Sequence, residues 1–217
     1  MAVKQEFESR FAKHKDELEW LFMELYHNRE GLEVLEREMA EAYNARSAEL
    51  KALDKARSAD PEWYKRGNMF GMTMYTDLFA GNLKELVKKL PYLKDMGIDI
   101  IYLNPIFRAR SNHRYDTGDY TQVDPLCGTN TEFTELCEAA KKVGIRVMLD
   151  GVFSHTGEDS VYFNHFGHYP TLGAYQGQSS PYYDWYTFNH YPEDYKAWWG
   201  ILSLPELRKD NPEYQKF

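Results

Sequence analysis

Ile145-Arg146-Val147-Met148-Leu149-Asp150-Gly151-Val152-Phe153-Ser154-His155 changes character in mid-course: a mostly apolar run gives way at Asp150 to a polar segment carrying an acid and a histidine five residues apart. A short apolar run bounded by turn formers is the pattern of a strand buried on both faces. Immediately upstream, Thr129-Asn130-Thr131-Glu132 opens a capped helix that runs to Val143 and ends at Gly144. Before it, Ile98 to Leu103 reads as a second strand. Asn82 to Met96 reads as another helix, with Asn82 and Glu85 at capping-box spacing and Gly97 at the left-handed exit. Pro91 is expected to kink it. Met69 to Tyr75 is a first strand, and Asn104 to Gly128 reads as one long loop. Strand, helix, strand, helix, strand calls for parallel pairing through right-handed crossovers, hence an α/β domain.

Periodicity leaves an open doubly wound sheet and a closed barrel both in play. Ala80-Gly81-Asn82 after the first strand holds one glycine, where a dinucleotide-binding fold would carry a glycine-rich phosphate loop, and this tilts the reading toward a barrel. Barrel enzymes take their functional residues from the C-terminal ends of strands and the loops that follow. Here those places hold Tyr75, then Asn104-Pro105-Ile106-Phe107 and Ser111 to Tyr120, then Asp150 to His155.

From Lys4 to Ala56 the pattern is different. Apolar residues recur at helical spacing (Phe7, Phe11, Leu18, Leu21, Phe22, Leu25, Leu32, Leu35, Met39, Tyr43), with only Asn28 and Gly31 as turn formers. The spacing predicts an α-hairpin or small bundle without sustained heptads, closed by Asp60-Pro61. The expected division is a helical region over 1–60 and an α/β region over 61–217. A net charge of -8 argues against nucleic acid or an anionic membrane surface as partner. No stretch approaches the roughly 18 apolar residues of a membrane span, and the charged start Met1 to Glu8 is unlike a signal peptide, so a cytoplasmic protein is expected. Cys127 and Cys137 lack partners at metal-ligand spacing and read as reduced thiols. Aromatic residues, 16% of the chain, crowd into its last third, as suits flat apolar ligand faces, sugars included.

Asp150 to His155 resembles the first conserved region of the α-amylase family of glycoside hydrolases and transglycosylases (family 13), an Asp-x-x-x-Asn-His pattern at the end of the third strand. Tyr115-Asp116-Thr117-Gly118-Asp119-Tyr120, followed by Asp124-Pro125 and Gly128-Thr129, is similar to the loop before that region in neopullulanases and oligo-α-glucosidases. The resemblance implies a (β/α)8 barrel, of which about the first three strands are present, preceded by an all-α region, and an α-glucan as partner. It implies that Tyr115 stacks on the sugar ring being cleaved and that His155 hydrogen-bonds a hydroxyl of that ring. Asn112 and Tyr75 complete the substrate-binding set, while Asp150 and Asp116 brace the site. Ser154 stands where the pattern usually has Asn, a calcium ligand in many amylases, so no cofactor or metal is expected.

The front half, with Asp60 to Tyr64 and Tyr75 to Leu83, resembles amylosucrases, which transfer glucose from sucrose. Asn112 departs from them, since they carry an acidic residue three before the stacking tyrosine. Tyr169 to Tyr175, Ser180 to Tyr186 and Trp198-Trp199-Gly200 resemble a substrate-lining segment of neopullulanase- and amylopullulanase-like enzymes, and Leu204-Pro205-Glu206-Leu207 resembles their short motif before the fourth strand, although Arg208 follows where that motif has Asn. Hydrolysis is therefore favoured over sucrose transfer, with a non-catalytic glucan-binding chain as a third reading. Retaining cleavage needs two carboxylates roughly 5 Å apart. The family places them after the fourth and fifth strands, beyond Phe217, so no catalytic residue is assigned and the chain alone is expected to be inactive. Three strands of a barrel are expected to leave an open edge, with marginal solubility or self-association, and a homo-oligomer through the helical region is expected as well.

Overall fold

The computed structural model describes residues 2–67 and 69–217, with side chains from Glu6 onward. They form two compact units, one reaching Arg66 and including Gln215–Phe217, the other Gly67–Tyr214.

The first unit holds α1 (Ala2–Phe11), α2 (Lys15–Tyr26), α3 (Arg29–Ala45) and α4 (Ala48–Ala59), more breaks than a simple hairpin would have. Two of them are set by caps. Asn28 accepts from the Gly31 amide at 2.9 Å and Ser47 from the Leu50 amide at 3.2 Å, each giving an oxygen to an amide that the helix leaves without a partner. His27, with φ 49°, closes α2 in the left-handed conformation. α3 carries the buried side chains, Leu32 and Tyr43, and Phe7 packs on the Tyr43 ring at 5.7 Å. Arg46 then clamps Asp54 of α4 through two hydrogen bonds of 2.8 and 3.0 Å. On α2, Trp20 and Leu25 remain exposed.

The second unit is built on a parallel sheet of β1 (Gly71–Met74), β2 (Ile100–Leu103) and β3, which spans Arg146–Leu149, side by side in chain order. Gly71, Ile100 and Arg146 are aligned at one end and Met74, Leu103 and Leu149 at the other. A short α5 (Thr76–Ala80) and α6 (Leu83–Asp95) connect the first pair, and α7 (Asn130–Lys142) leads into the third strand. Alternation decides the faces. Met74, Ile101 and Leu103 turn toward the helices and share a core with Leu83, Leu86, Leu90 and Leu93 of α6 and Leu136 and Ala140 of α7. Thr73, Tyr102 and Met148 are in register on the opposite face, where Met148 is half exposed.

Thr129 and Glu132 form the expected reciprocal capping box. Asn82 provides only half of one: it accepts from the Glu85 amide at 2.8 Å, but the Glu85 carboxylate turns to Lys88. Helix α6 runs continuously through Pro91 to Asp95. The expected single loop from Asn104 to Gly128 is corrected by the structure, which makes an antiparallel hairpin of β4 (Phe107–Ala109) and β5 (Thr117–Val123) within it. Two register shifts interrupt that pairing and so break the alternation a sequence reading relies on.

After His155 the chain forms a second, aromatic core. Phe163 is fully buried, its ring centroid 4.9 Å from that of Tyr186 and 4.8 Å from that of Tyr195, while Trp185 stacks on Tyr162 at 5.4 Å. A small hairpin of β6 (Phe188–His190) and β7 (Asp194–Tyr195) adds to it. Isolated bridges His155–Glu206 and Tyr186–Leu207 sew the returning segment to this core, and the chain closes with α8 (Pro212–Lys216).

Candidate functional site

The C-terminal ends of the three parallel strands converge on Asp150. Tyr115, from the loop between the hairpin strands, donates its hydroxyl to Asp150 Oδ2 at 3.0 Å. Tyr102, one residue before the end of β2, faces the same carboxylate, and burial, helped by that carboxylate, raises its phenol above the ordinary range. Burial first, and then the Asp150 hydrogen bond and charge, push the Tyr115 phenol up to about 12. Tyr75, at the exit of β1, is half-buried. Both phenols therefore stay protonated at neutral pH and act as donors.

His155 is 4% exposed and lies against the carbonyl of Tyr115, with Nε2 to oxygen 3.0 Å. Its Nδ1 is 2.9 Å from Ser154 Oγ. A carbonyl can only accept, so Nε2 carries the proton and Nδ1 accepts from the serine hydroxyl. Burial lowers the pKa of the ring, and the Tyr115 contact only partly opposes that. Both ring nitrogens are thus engaged within the protein. A sugar hydroxyl reaching His155 would have to replace one of these partners.

Tyr115 is held from both sides. Asp116 accepts from the Ser111 amide at 3.1 Å and from the Ser111 hydroxyl, and Ser111 Oγ in turn accepts from the Arg114 amide at 3.1 Å. Arg114 sits at φ 61° with its side chain 1% exposed. Its guanidinium pairs with Asp77 of α5 at 3.2 Å and with Asp124 beyond β5 at 3.4 Å. Asp124 also accepts from the amides of Ala109 and Leu126. Gly157 explains how the two loops come so close: a Cβ there would stand 2.7 Å from the carbonyl oxygen of Asp116. Asn112 is exposed at the tip of the same loop.

The structure therefore brings together Tyr75, Tyr115, Asp116, Asp150 and His155, and leaves Asn112 at the rim. Sequence reasoning passed over Tyr102 and the Arg114 ion pairs, whereas Trp198, read with Trp199 and Gly200 as resembling a substrate-lining segment, lies with its ring 5.1 Å from that of His155. Tyr102 carried a signal, as the one hydroxyl-bearing residue in the apolar run of β2. Ser154 offers a metal one neutral oxygen, already against His155, and among the described residues no group of three or more His, Cys, Asp or Glu could hold an ion. An open cavity lined by Arg108, Gln122, Leu126 and the first turn of α7 includes none of the sequence-predicted site residues.

Comparison with known proteins gives the arrangement a context. The family model described as "Alpha amylase, catalytic domain" matches residues 36–210. An amylopullulanase of Thermoanaerobacterium saccharolyticum is 52% identical over 141 residues, 62% of this chain and 11% of its own. An intracellular maltogenic amylase of Bacillus subtilis (strain 168) is 38% identical over 144 residues, 65% of this chain and 23% of its own. Among solved structures, a debranching enzyme from Nostoc punctiforme superposes with a TM-score of 0.61 at 30% identity, covering 69% of this chain and 37% of that one. The chain thus spans less than a quarter of the length of these two curated relatives.

Proposed function

The chain belongs to the alpha-amylase family, and from that premise we propose that it supplies the Tyr115, Asp150 and His155 side of the active site of a retaining glycoside hydrolase acting on starch-, maltodextrin- or pullulan-type α-glucans. The observation that carries the reading is the hydrogen bond from Tyr115 to Asp150, with the Tyr115 carbonyl fixed by His155, at the C-terminal ends of parallel strands. It orients an aromatic ring, 37% exposed, where a barrel presents residues to substrate. A phenol ring held by its own hydroxyl offers a flat apolar face to a pyranose at little entropic cost.

Asp150 accepts from tyrosines, which suits a brace better than a nucleophile. The nucleophile and acid/base belong to the wider family pattern, so the chain by itself is proposed to bind glucan without cleaving it. The finer architecture follows the same reading: a helical region over 1–60 ahead of the opening strands of a (β/α)8 barrel. Self-association through the helical region draws support from Trp20 and Leu25, exposed on α2. The name of the Bacillus subtilis relative, an intracellular maltogenic amylase, supports a cytoplasmic setting.

Calorimetric titration with maltoheptaose and with sucrose tests this. Maltoheptaose is expected to bind and Tyr115→Ala to abolish binding; a preference for sucrose would favour the amylosucrase-like reading, and no glucan binding would sink the proposal. A reducing-end assay on pullulan and maltodextrin is expected to show no release by the chain alone. Release would overturn its assignment as non-cleaving.

A further inference from the structure

The segment that carries His155 is irregular. Residues 151–157 form neither helix nor strand apart from the isolated bridge at His155, so a regular ladder does not supply partners for their carbonyls. Partners come instead from three places distant in the chain. The Tyr120 hydroxyl lies 2.6 Å from the Val152 carbonyl oxygen and 2.8 Å from that of His155. The Tyr214 hydroxyl donates to the Phe153 carbonyl at 2.8 Å, and the Leu207 amide donates to that of Ser154 at 3.0 Å. Every carbonyl from Val152 to His155 is thus held, and the first and last share one hydroxyl.

That shared contact sets Tyr120 apart. A phenol has one proton, and here two carbonyls converge on it, so the hydroxyl draws the two ends of residues 152–155 together. Burial raises this phenol far above its ordinary range, so the proton is retained at neutral pH. The ring is itself fixed. It lies 5.7 Å from the rings of Phe153 and Tyr162, and the Tyr120 amide donates to the Tyr162 hydroxyl at 3.2 Å. Tyr115, earlier in the same stretch of chain, receives His155 Nε2 on its carbonyl at 3.0 Å. His155 is therefore held twice from one side, by its ring through Tyr115 and by its backbone through Tyr120.

We propose that Tyr120 is a positioning residue: its hydroxyl pins residues 152–155 into a closed turn, which sets the His155 ring against Tyr115 and so shapes the glucan-binding site without touching the glucan. Without that hydroxyl, two carbonyl oxygens would face each other with no donor between them, and their repulsion would open the turn. The effect on binding rests on the α-glucan reading above, whereas the pinning of His155 does not. Tyr214 provides the internal comparison, because its hydroxyl serves a single carbonyl of the same segment and closes nothing.

Tyr120→Phe and Tyr214→Phe each remove one hydroxyl and keep the ring. Acylation by diethyl pyrocarbonate, followed histidine by histidine through peptide mass spectrometry, reads the accessibility of each imidazole, and calorimetric titration with maltoheptaose reads the site. In the wild type, buried His155 should be protected and exposed His113 should react. Tyr120→Phe is expected to speed acylation of His155 about tenfold, to leave half-buried His165 at its wild-type rate, and to weaken maltoheptaose about tenfold. Tyr214→Phe is expected to leave His155 protected. Wild-type protection of His155 in Tyr120→Phe would overturn the proposal. So would equal acceleration at His155 and His165, which would make Tyr120 a general support of the core, or an equal effect of the two substitutions on His155. Faster acylation of His155 with unchanged maltoheptaose affinity would refute the role in the binding site. If the wild type does not bind maltoheptaose, the α-glucan reading falls together with the effect on binding, while the rate at His155 still decides whether Tyr120 is the pin.

Discussion

Single residues decide how firmly Tyr115 is held, and two of them make measurable predictions. Burial lowers the pKa of His155 below its ordinary 6.5, so the unfolded chain binds a proton there more readily than the folded one. The stability this residue contributes is complete above about pH 6.5 and is lost as the pH falls toward the lowered folded value. Melting temperatures should therefore decline between pH 7 and pH 5, ahead of carboxylate protonation. His155→Gln keeps a donor and an acceptor but does not titrate, and should flatten that decline; an unchanged slope would show that another group is responsible. Arg114 is the second case. Its guanidinium is buried against Asp77 and Asp124, and Arg114→Ala would leave Asp124 buried without its cation, at a cost of about 3 kcal/mol in urea unfolding. Lysine should rescue little, because a point charge cannot serve two carboxylates in the plane of a fork. Asp150, His155 and Tyr115 were legible in the sequence because their order and spacing form a pattern. Arg114 was not, because its value lies in two acids 37 and 10 residues away.

At the scale of elements, the parallel strands and the two long helices were legible from apolar runs and from capping residues that act locally. Thr129 and Glu132 are three apart and satisfy each other's amides, so the start of α7 could be read without knowing the fold. The β4–β5 hairpin could not. Thr117–Val123 is mostly polar, and its pairing slips twice, so its support comes from partners distant in sequence. Asp124 reaching Ala109 is one of these, and the Thr117 carbonyl accepting from the Gly157 amide at 2.9 Å is another. Gly157 is one place where the hairpin and the segment after β3 meet backbone to backbone. Gly157→Ala would put a methyl 2.7 Å from the Asp116 carbonyl, and backbone on both sides must move. The expected loss is about 2 kcal/mol of stability, together with weaker maltoheptaose binding as Tyr115 shifts away from His155. Wild-type stability and affinity in this variant would mean that the two loops are looser than their geometry shows.

For the whole molecule, the division into two compact units has a direct test. Lys65 and Arg66 are exposed beside the boundary at Gly67, so brief trypsin treatment should cut there first and release a resistant fragment beginning at Gly67. Early cleavage within α6 or α7 would contradict that division. The same scale governs solubility. The sheet ends at β3, Met148 is exposed on its open face, and α2 shows Trp20 and Leu25, so light scattering should detect self-association that Trp20→Glu with Leu25→Glu reduces. The order of the sheet has a further consequence. Within the parallel sheet each strand lies beside the sheet strand that precedes it, so β2 on β1 and β3 on β2 can each pair as soon as they are made. During synthesis, β1 and β2 can close over α6 while α7 is still within the ribosome, and β3 then adds to a finished edge. Among the described residues the growing sheet keeps two edges unpaired, the outer side of β1 throughout and that of the newest strand in turn, and each new strand adds on the side away from β1.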